Sequence, residues 1–165
     1  MVLRWGIVSA GKISHDFCVA LSTLAFDEHK VVAIAASNKS RAQEFAQKHE
    51  IDNAFGSYEE LAQCDQVDVV YIGNLNTQHF EVAHLMLEHG KHVLCEKPLC
   101  MNQKQSKKLI QYAEVKKLFL MEAVWSRFFP AYQYLKRQID TGLLGEIQEV
   151  DAFFGFDLMQ VDRVQ

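Results

Sequence analysis

Proline and glycine are scarce in this 165-residue chain, with two and eight copies, and no segment reads as a low-complexity linker or a short fixed repeat. A disordered chain is excluded, because 49% hydrophobic residues suffice for a substantial core. The length fits one domain, or one domain with part of another. No apolar run approaches the roughly 18 residues that would suggest a transmembrane helix. A basic stripe is also missing. Seventeen Lys and Arg against 21 Asp and Glu leave a formal charge of −4, with no aromatic-interleaved cluster to track phosphates, so nucleic acid is excluded as a partner. The four cysteines (Cys18, Cys64, Cys95, Cys100) form no CxxC pair, and none stands at zinc-finger spacing from the seven histidines. They read as reduced, mostly core thiols, and no metal is required. The opening "MVLRWGIVSAGKI" enters strand-like sequence at once, without the features of a signal peptide, and a cytoplasmic location is expected.

What is present is alternation of short β-like and longer helical stretches. Leu3 to Ser9 reads as a strand, and Lys12 to Leu24 as a helix with Ile13, Phe17, Ala20, Leu21 and Leu24 on one face. "VVAIAA" (31–36) is a continuous apolar run of the kind buried on both faces of a parallel sheet. Ser40 with Gln43, and Ser57 with Glu60, read as capping boxes opening the next two helices. "VDVVYI" (67–72) is a strand, Thr77 to His89 a helix stopped by Gly90, "HVLCE" (92–96) a strand, Asn102 to Lys117 a helix, and "LFLME" (118–122) a strand. This βαβ repetition predicts an α/β fold with a doubly wound parallel sheet. Ligands in such a sheet bind beyond the carboxyl ends of the strands, so the strand-terminal residues are the candidates for function.

The first strand ends in "GIVSAGKIS", which aligns with the dinucleotide fingerprint GxGxxG at its middle glycine alone. Ser9 stands at the first glycine position, Gly11 at the second and Ser14 at the third. Gly11, Lys12 and Ile13 open the following helix, whose free N–H groups and dipole suit a pyrophosphate. Taken alone, this stretch fits an ordinary βα turn equally well. The second strand end reads "AASNKSRAQ", without the Asp or Glu that holds an NAD ribose. Ser37, Asn38, Lys39 and Arg41 offer partners to a 2′-phosphate instead, which points to NADP. The alternative is a helix start with solvated basic side chains.

"GNLNTQHFEVAHLMLEHGKHVLCEKPL" (73–99) resembles the signature region of the Gfo/Idh/MocA oxidoreductases. In that family an Asn- and His-bearing loop is followed by a helix, Gly-Lys-x-Val and Glu-Lys-Pro. Within the family, "LRWGIVSAGKIS", "RAQEFAQKH", "GSYEELA" and "LFLMEAVWSRFFPA" are most similar to the group of NADP-dependent dihydrodiol and D-xylose dehydrogenases. The resemblance implies a Rossmann-type nucleotide-binding domain and an oxidoreductase acting on a small-molecule trans-dihydrodiol or aldose. The products would be a catechol or a lactone.

It also implies roles for particular residues. Lys97 matches the family lysine beside the nicotinamide, which hydrogen-bonds the hydroxyl being oxidised; partial burial and nearby positive charge would suit it to proton transfer. Glu96 matches a carboxylate on the nicotinamide side, and Pro98 fixes the backbone, with a cis bond allowed. Asn76 and His79 match the family's Asn-x-x-His near the nicotinamide ribose, with Leu75 in place of the usual Pro. Trp125 and Phe154 resemble aromatic walls of the substrate pocket, though aromatics at such places equally form domain-interface core.

The resemblance further implies a division into residues 1–123, the dinucleotide-binding domain, and 124–165, a crossover helix and the first strand, "EIQEVDAFFGF", of an incomplete α+β substrate domain. Family members continue further, with a Tyr or His acid/base and a dimer interface. A homodimer is therefore expected only of a longer chain, and weak or absent turnover of this one. Two other readings stay open: a catalytically inactive nucleotide-binding or regulatory module, and a dehydrogenase of inositol or another sugar.

Overall fold

The computed structural model describes residues 2–155. Six strands, β1 (Leu3–Val8), β2 (His29–Ala35), β3 (Asn53–Phe55), β4 (Val69–Ile72), β5 (His92–Glu96) and β6 (Leu120–Ala123), form one sheet in the order β3-β2-β1-β4-β5-β6. Every pairing is parallel. The order reverses direction between β1 and β4, so their carboxyl ends flank the switch point where ligands enter such sheets.

Period-2 alternation sends neighbouring residues into two separate cores. Val8, Ala33, Ala35, Val70 and Ile72 pack on one face beneath α3 (Tyr58–Ala62), α4 (His79–Glu88) and α5 (Gln103–Lys116). Ile7, Ile34, Val69 and Tyr71 pack on the other face beneath α1 (Lys12–Leu21) and α2 (Lys39–His49). Ile7, Ile34, Val70 and Ile72 are wholly buried, and each such side chain stabilises the fold by about 1.5–3 kcal/mol. The apolar runs read from the sequence are therefore strands covered on both sides.

Several boundaries differ from expectation for local reasons. α1 stops at Leu21 rather than Leu24 because the Ser22 and Thr23 hydroxyls donate back to the carbonyls of Val19 (2.8 Å) and Ala20 (2.7 Å). The cap of α2 is Asn38, not Ser40: the Asn38 side chain accepts from the Ser40 N–H at 2.8 Å. Ser57 and Glu60 do form their capping box. The helix read from Thr77 divides into a 3-10 turn, Asn76–Gln78, and α4, which ends before Gly90 at φ +75°. β3 escaped the sequence reading, because three residues are too few to show a period.

The chain divides into two compact units, Met1–Val124 and Trp125–Gln165. The second contains a 3-10 turn, Trp125–Phe128, and α6, Pro130–Asp140, with proline in its first turn where a missing N–H costs nothing. The strand expected over "EIQEVDAFFGF" is not there: residues 146–155 take no strand structure, and Phe156 lies outside the described residues. A strand exists only by β-ladder pairing, and residues 146–155 join no sheet among the described residues.

Candidate functional site

The β1–α1 loop carries the first part of the site. Ser9, at the position of the first fingerprint glycine, takes φ +78°, a left-handed conformation that costs a non-glycine residue about 1–2 kcal/mol. Its N–H donates to Ala35 O at 2.8 Å, which pins the turn to β2. Gly11 is the N-cap of α1, and no side chain caps the helix there. A Cβ built on Gly11 would meet nothing nearer than the Ser9 hydroxyl at 3.6 Å, so protein packing does not demand glycine. Close approach of an anion to the first-turn amides would. Lys12 and Ile13 are the first residues of α1 and both are exposed. Ser14 is fully buried, and its hydroxyl donates to Val8 O at 3.4 Å.

Beside this loop lies a cleft of about 400 Å³ between α1 and α2, lined by Gly11, Lys12, His15, Arg41, Glu44 and Lys48 among others. The Arg41 guanidinium reaches from α2 to the loop and donates to Ala10 O at 3.5 Å. Ser37 is exposed at the carboxyl end of β2. Three cations against one carboxylate make the cleft suited to an anion.

At the end of β4 the chemistry is polar and buried. Asn76 is exposed on the 3-10 turn, but His79 is only 1% exposed. His79 Nδ1 lies 2.7 Å from Pro98 O, and Nε2 lies 3.3 Å from Asn74 O. Both ring nitrogens therefore face backbone carbonyls, and the side chain ties the β4 loop to the segment after β5. The side-chain oxygen Oδ1 of Asn74 is buried with no hydrogen-bond partner among the described residues. An orphaned buried acceptor of this kind at a strand end offers a place for a ligand hydroxyl or amide.

β5 delivers Glu96 and Lys97. The Tyr71 hydroxyl donates to Glu96 Oε1 at 2.8 Å, and the Lys97 N–H donates to Glu96 Oε2 at 3.3 Å. Tyr71 is buried and stacks on Phe17 with ring centroids 3.9 Å apart. Burial, then the bond and charge of Glu96, push its phenol pKa up, so Tyr71 is a fixed donor. The Lys97–Pro98 bond is cis. Lys97 is exposed, so the partial burial expected around its amine is absent. Glu122 of β6 accepts from the Leu99 N–H at 2.8 Å and steadies the chain beyond Pro98.

The first unit thus gathers Ser9, Gly11, Lys12, Ile13, Ser37, Arg41, Asn76, His79, Glu96 and Lys97 at one edge of the sheet. Trp125 and Phe154 belong to the second unit, and both are largely exposed. Three contributors were not singled out in the sequence: Asn74, Tyr71 and His15. Asn74 and Tyr71 sit at the end of β4, the one signal that could have found them. Among the described residues no group of three or more His, Cys, Asp or Glu side chains is placed to hold a metal ion. No helix there is long and apolar enough to cross a membrane.

The family model for Gfo/Idh/MocA proteins, described as an oxidoreductase family with an NAD-binding Rossmann fold, matches residues 3–124. The chain belongs to the Gfo/Idh/MocA oxidoreductase family. It is 52% identical over 163 residues to a trans-1,2-dihydrobenzene-1,2-diol dehydrogenase of Danio rerio, and 50% identical to that of Homo sapiens. Each match covers 99% of this chain and 49% of the relative, so the chain spans about half the length of these curated relatives. Among solved structures it is similar to an NAD-binding oxidoreductase from Klebsiella pneumoniae, with TM-score 0.82, 30% identity, and 88% of this chain and 40% of that one covered. The 3-ketoreductase KijD10 from Actinomadura kijaniata, solved with TDP-benzene and NADP in an open conformation, matches with TM-score 0.81 and 30% identity over 90% of this chain and 46% of that one. The first unit of this Gfo/Idh/MocA protein is thus an NAD(P)-binding Rossmann domain.

Proposed function

We propose that this chain is the cofactor-binding part of an NADP-dependent dehydrogenase that oxidises a secondary carbinol of a trans-dihydrodiol or of an aldose such as D-xylose. The observation that carries the NADP preference is the α1–α2 cleft, where Arg41, Lys12 and Lys48 adjoin the glycine loop and β2 ends without a carboxylate. Charge-assisted bonds from Arg41 would hold a 2′-phosphate there. A second support is the name of the relatives at about half identity, dihydrodiol dehydrogenase.

The residues present fit the cofactor. Gly11 and the first turn of α1 would take the pyrophosphate, Asn74 Oδ1 would accept from a ribose hydroxyl or carboxamide, and Glu96, held by Tyr71, would lie at the nicotinamide side. When bound, NADP would supply the hydride acceptor. The protein's part is proton handling and position. Lys97, in its neutral amine form, would hydrogen-bond the carbinol oxygen and take up its O–H proton as the C–H bond gives up its electron pair, leaving a ketone on the diol or a lactone carbonyl on the sugar. The diol product then tautomerises to a catechol. Tyr71 keeps Glu96 turned towards the strand end, next to the lysine it precedes.

Fluorescence titration with NADPH and NADH, beside turnover with NADP and D-xylose or a trans-dihydrodiol, tests this reading. NADPH should bind more tightly, and Arg41→Ala should lower NADPH affinity about 10–100-fold, the loss expected for one charged hydrogen-bond donor, with NADH affected little. Equal affinities before and after the substitution would remove the phosphate role. Lys97→Met should abolish turnover in the whole enzyme while sparing cofactor binding. Binding without turnover in any form of the protein would instead favour a regulatory nucleotide-binding module.

A further inference from the structure

His15 and His49 come from different helices and meet at the side of the α1–α2 cleft. His15 Nδ1 lies 2.8 Å from His49 Nε2, with ring centroids 4.8 Å apart. The Phe45 ring packs on His49 at 4.5 Å. A hydrogen bond between two imidazoles needs one N–H and one lone pair, so the intact pair holds at most one positive charge. Only His15 lines the cleft, which it shares with the charged groups Lys12, Arg41, Glu44 and Lys48. His49 turns to a second cleft of about 170 Å³, whose titratable and charged members are Cys18, His29, Lys30 and Glu50. No other hydrogen-bond partner of the His15 side chain is found among the described residues, which leaves its Nε2 open.

We propose that the His15–His49 pair couples NADP binding to proton uptake, making His15 an imidazolium partner of the 2′-phosphate. The inference rests on the NADP reading above. His15 Nδ1–H donates to His49 Nε2, which fixes the ring and makes His49 the acceptor that steadies a charged His15. The incoming proton comes from solvent and adds at His15 Nε2, where it becomes a donor to a phosphate oxygen; no bond other than N–H forms or breaks. A bound dianion beside Nε2 favours this proton. His49 suits the acceptor role because burial, then His15 and Lys48, hold its pKa below the ordinary histidine value. NADH, which lacks the phosphate, would draw no proton into the pair.

The test is calorimetry of NADPH and NADH binding in two buffers of different ionisation enthalpy between pH 6.5 and 8.5, on the unmodified protein, His15→Gln and His49→Phe. The phosphate ester's own ionisation near pH 6 is common to all three and cancels in the comparison. In the unmodified protein NADPH should take up more protons than NADH and lose about tenfold in affinity across this range, as expected when binding is linked to partial uptake of one proton. Both variants should lose that excess. Imidazole ¹⁵N spectra of the unmodified protein, with and without NADPH, read the same protonation without any substitution. Identical proton counts and unshifted His15 resonances, with Arg41→Ala still abolishing NADPH preference, would overturn the pair's role and leave the NADP reading standing. No preference for NADPH in any of the proteins would remove both.

Discussion

Ser14 and Gly73 face each other so closely that a Cβ added at Gly73 would lie 2.5 Å from the Ser14 hydroxyl oxygen. Ser14 occupies the fingerprint position where glycine usually lets the first helix approach its strand. Here the missing side chain is on the opposite partner, at the end of β4. The helix still packs closely, with Ser14 buried and bonded to Val8 O.

Gly73→Ala should therefore destabilise the domain by about 1–3 kcal/mol, the usual cost of overpacking a tight contact. It should also weaken NADPH, because α1 must shift its first turn to make room. Denaturant melts with cofactor titration check both, and the double variant Gly73→Ala with Ser14→Gly should recover part of the loss. Full stability in the single variant would show that the interface yields easily.

Tyr71→Phe keeps the stack on Phe17 but removes the donor at 2.8 Å from Glu96. We expect a stability loss of about 1 kcal/mol, near the net worth of one hydrogen bond, rising towards 3 if the carboxylate is left without a replacement donor. In the whole enzyme turnover should fall more than cofactor affinity, since Glu96 loses its orientation. Steady-state kinetics separate the two.

Asp68 links β4 to β1 by accepting from both the backbone N–H and the side chain of Arg4, at 3.0 and 2.9 Å. The Arg4 bond, opposed by burial, holds its carboxyl below the usual carboxylate range. A depressed folded-state pKa means the unfolded chain binds the proton first as pH falls. The contribution is thus complete above the ordinary value near 4 and disappears as pH drops through the folded one. Asp68→Asn should cost about 1 kcal/mol at pH 7, in keeping with a partly exposed pair, and make the acid limb of the stability profile shallower. Urea melts from pH 7 to 3 would show a parallel offset instead if Asp68 were not linked to acid unfolding.

Cys18, Cys95 and Cys100 are buried, and Cys64 is partly exposed. Burial pushes the Cys18 thiol up to about 12, and burial with neighbouring charges raises Cys95 as well. Thiolates are the reactive form, so Cys64 should label first with a disulfide reagent at pH 8, and Cys18 and Cys95 only on unfolding. Mass spectrometry of partly labelled protein reads the order directly.

Much of the fold was legible in order. The runs 31–36 and 67–72 became β2 and β4, and 92–96 became β5 to the residue. Ser57 and Glu60 formed their capping box because both partners lie within one turn. Asn38 displaced Ser40 as a cap because both side chains suit the role, and only the path of the backbone chose between them. Residues 146–155 look strand-like, yet a strand needs a neighbour that local sequence cannot supply.

The candidate site divides the same way. The absence of a carboxylate after β2, the single Gly11 and the Glu96-Lys97-Pro98 run are properties of the chain itself. They required only covalent neighbours and the placement of strand ends on one edge. The sequence by itself determined a parallel two-faced sheet, through apolar runs whose period leaves no other way to bury them. Only the tertiary structure decided that His79 bridges two carbonyls, that Tyr71 holds Glu96, and that His15 meets His49 from 34 residues away. Those contacts join segments whose distance depends on how helices pack across the sheet, and a hydrogen bond about 3 Å long is settled by that packing alone.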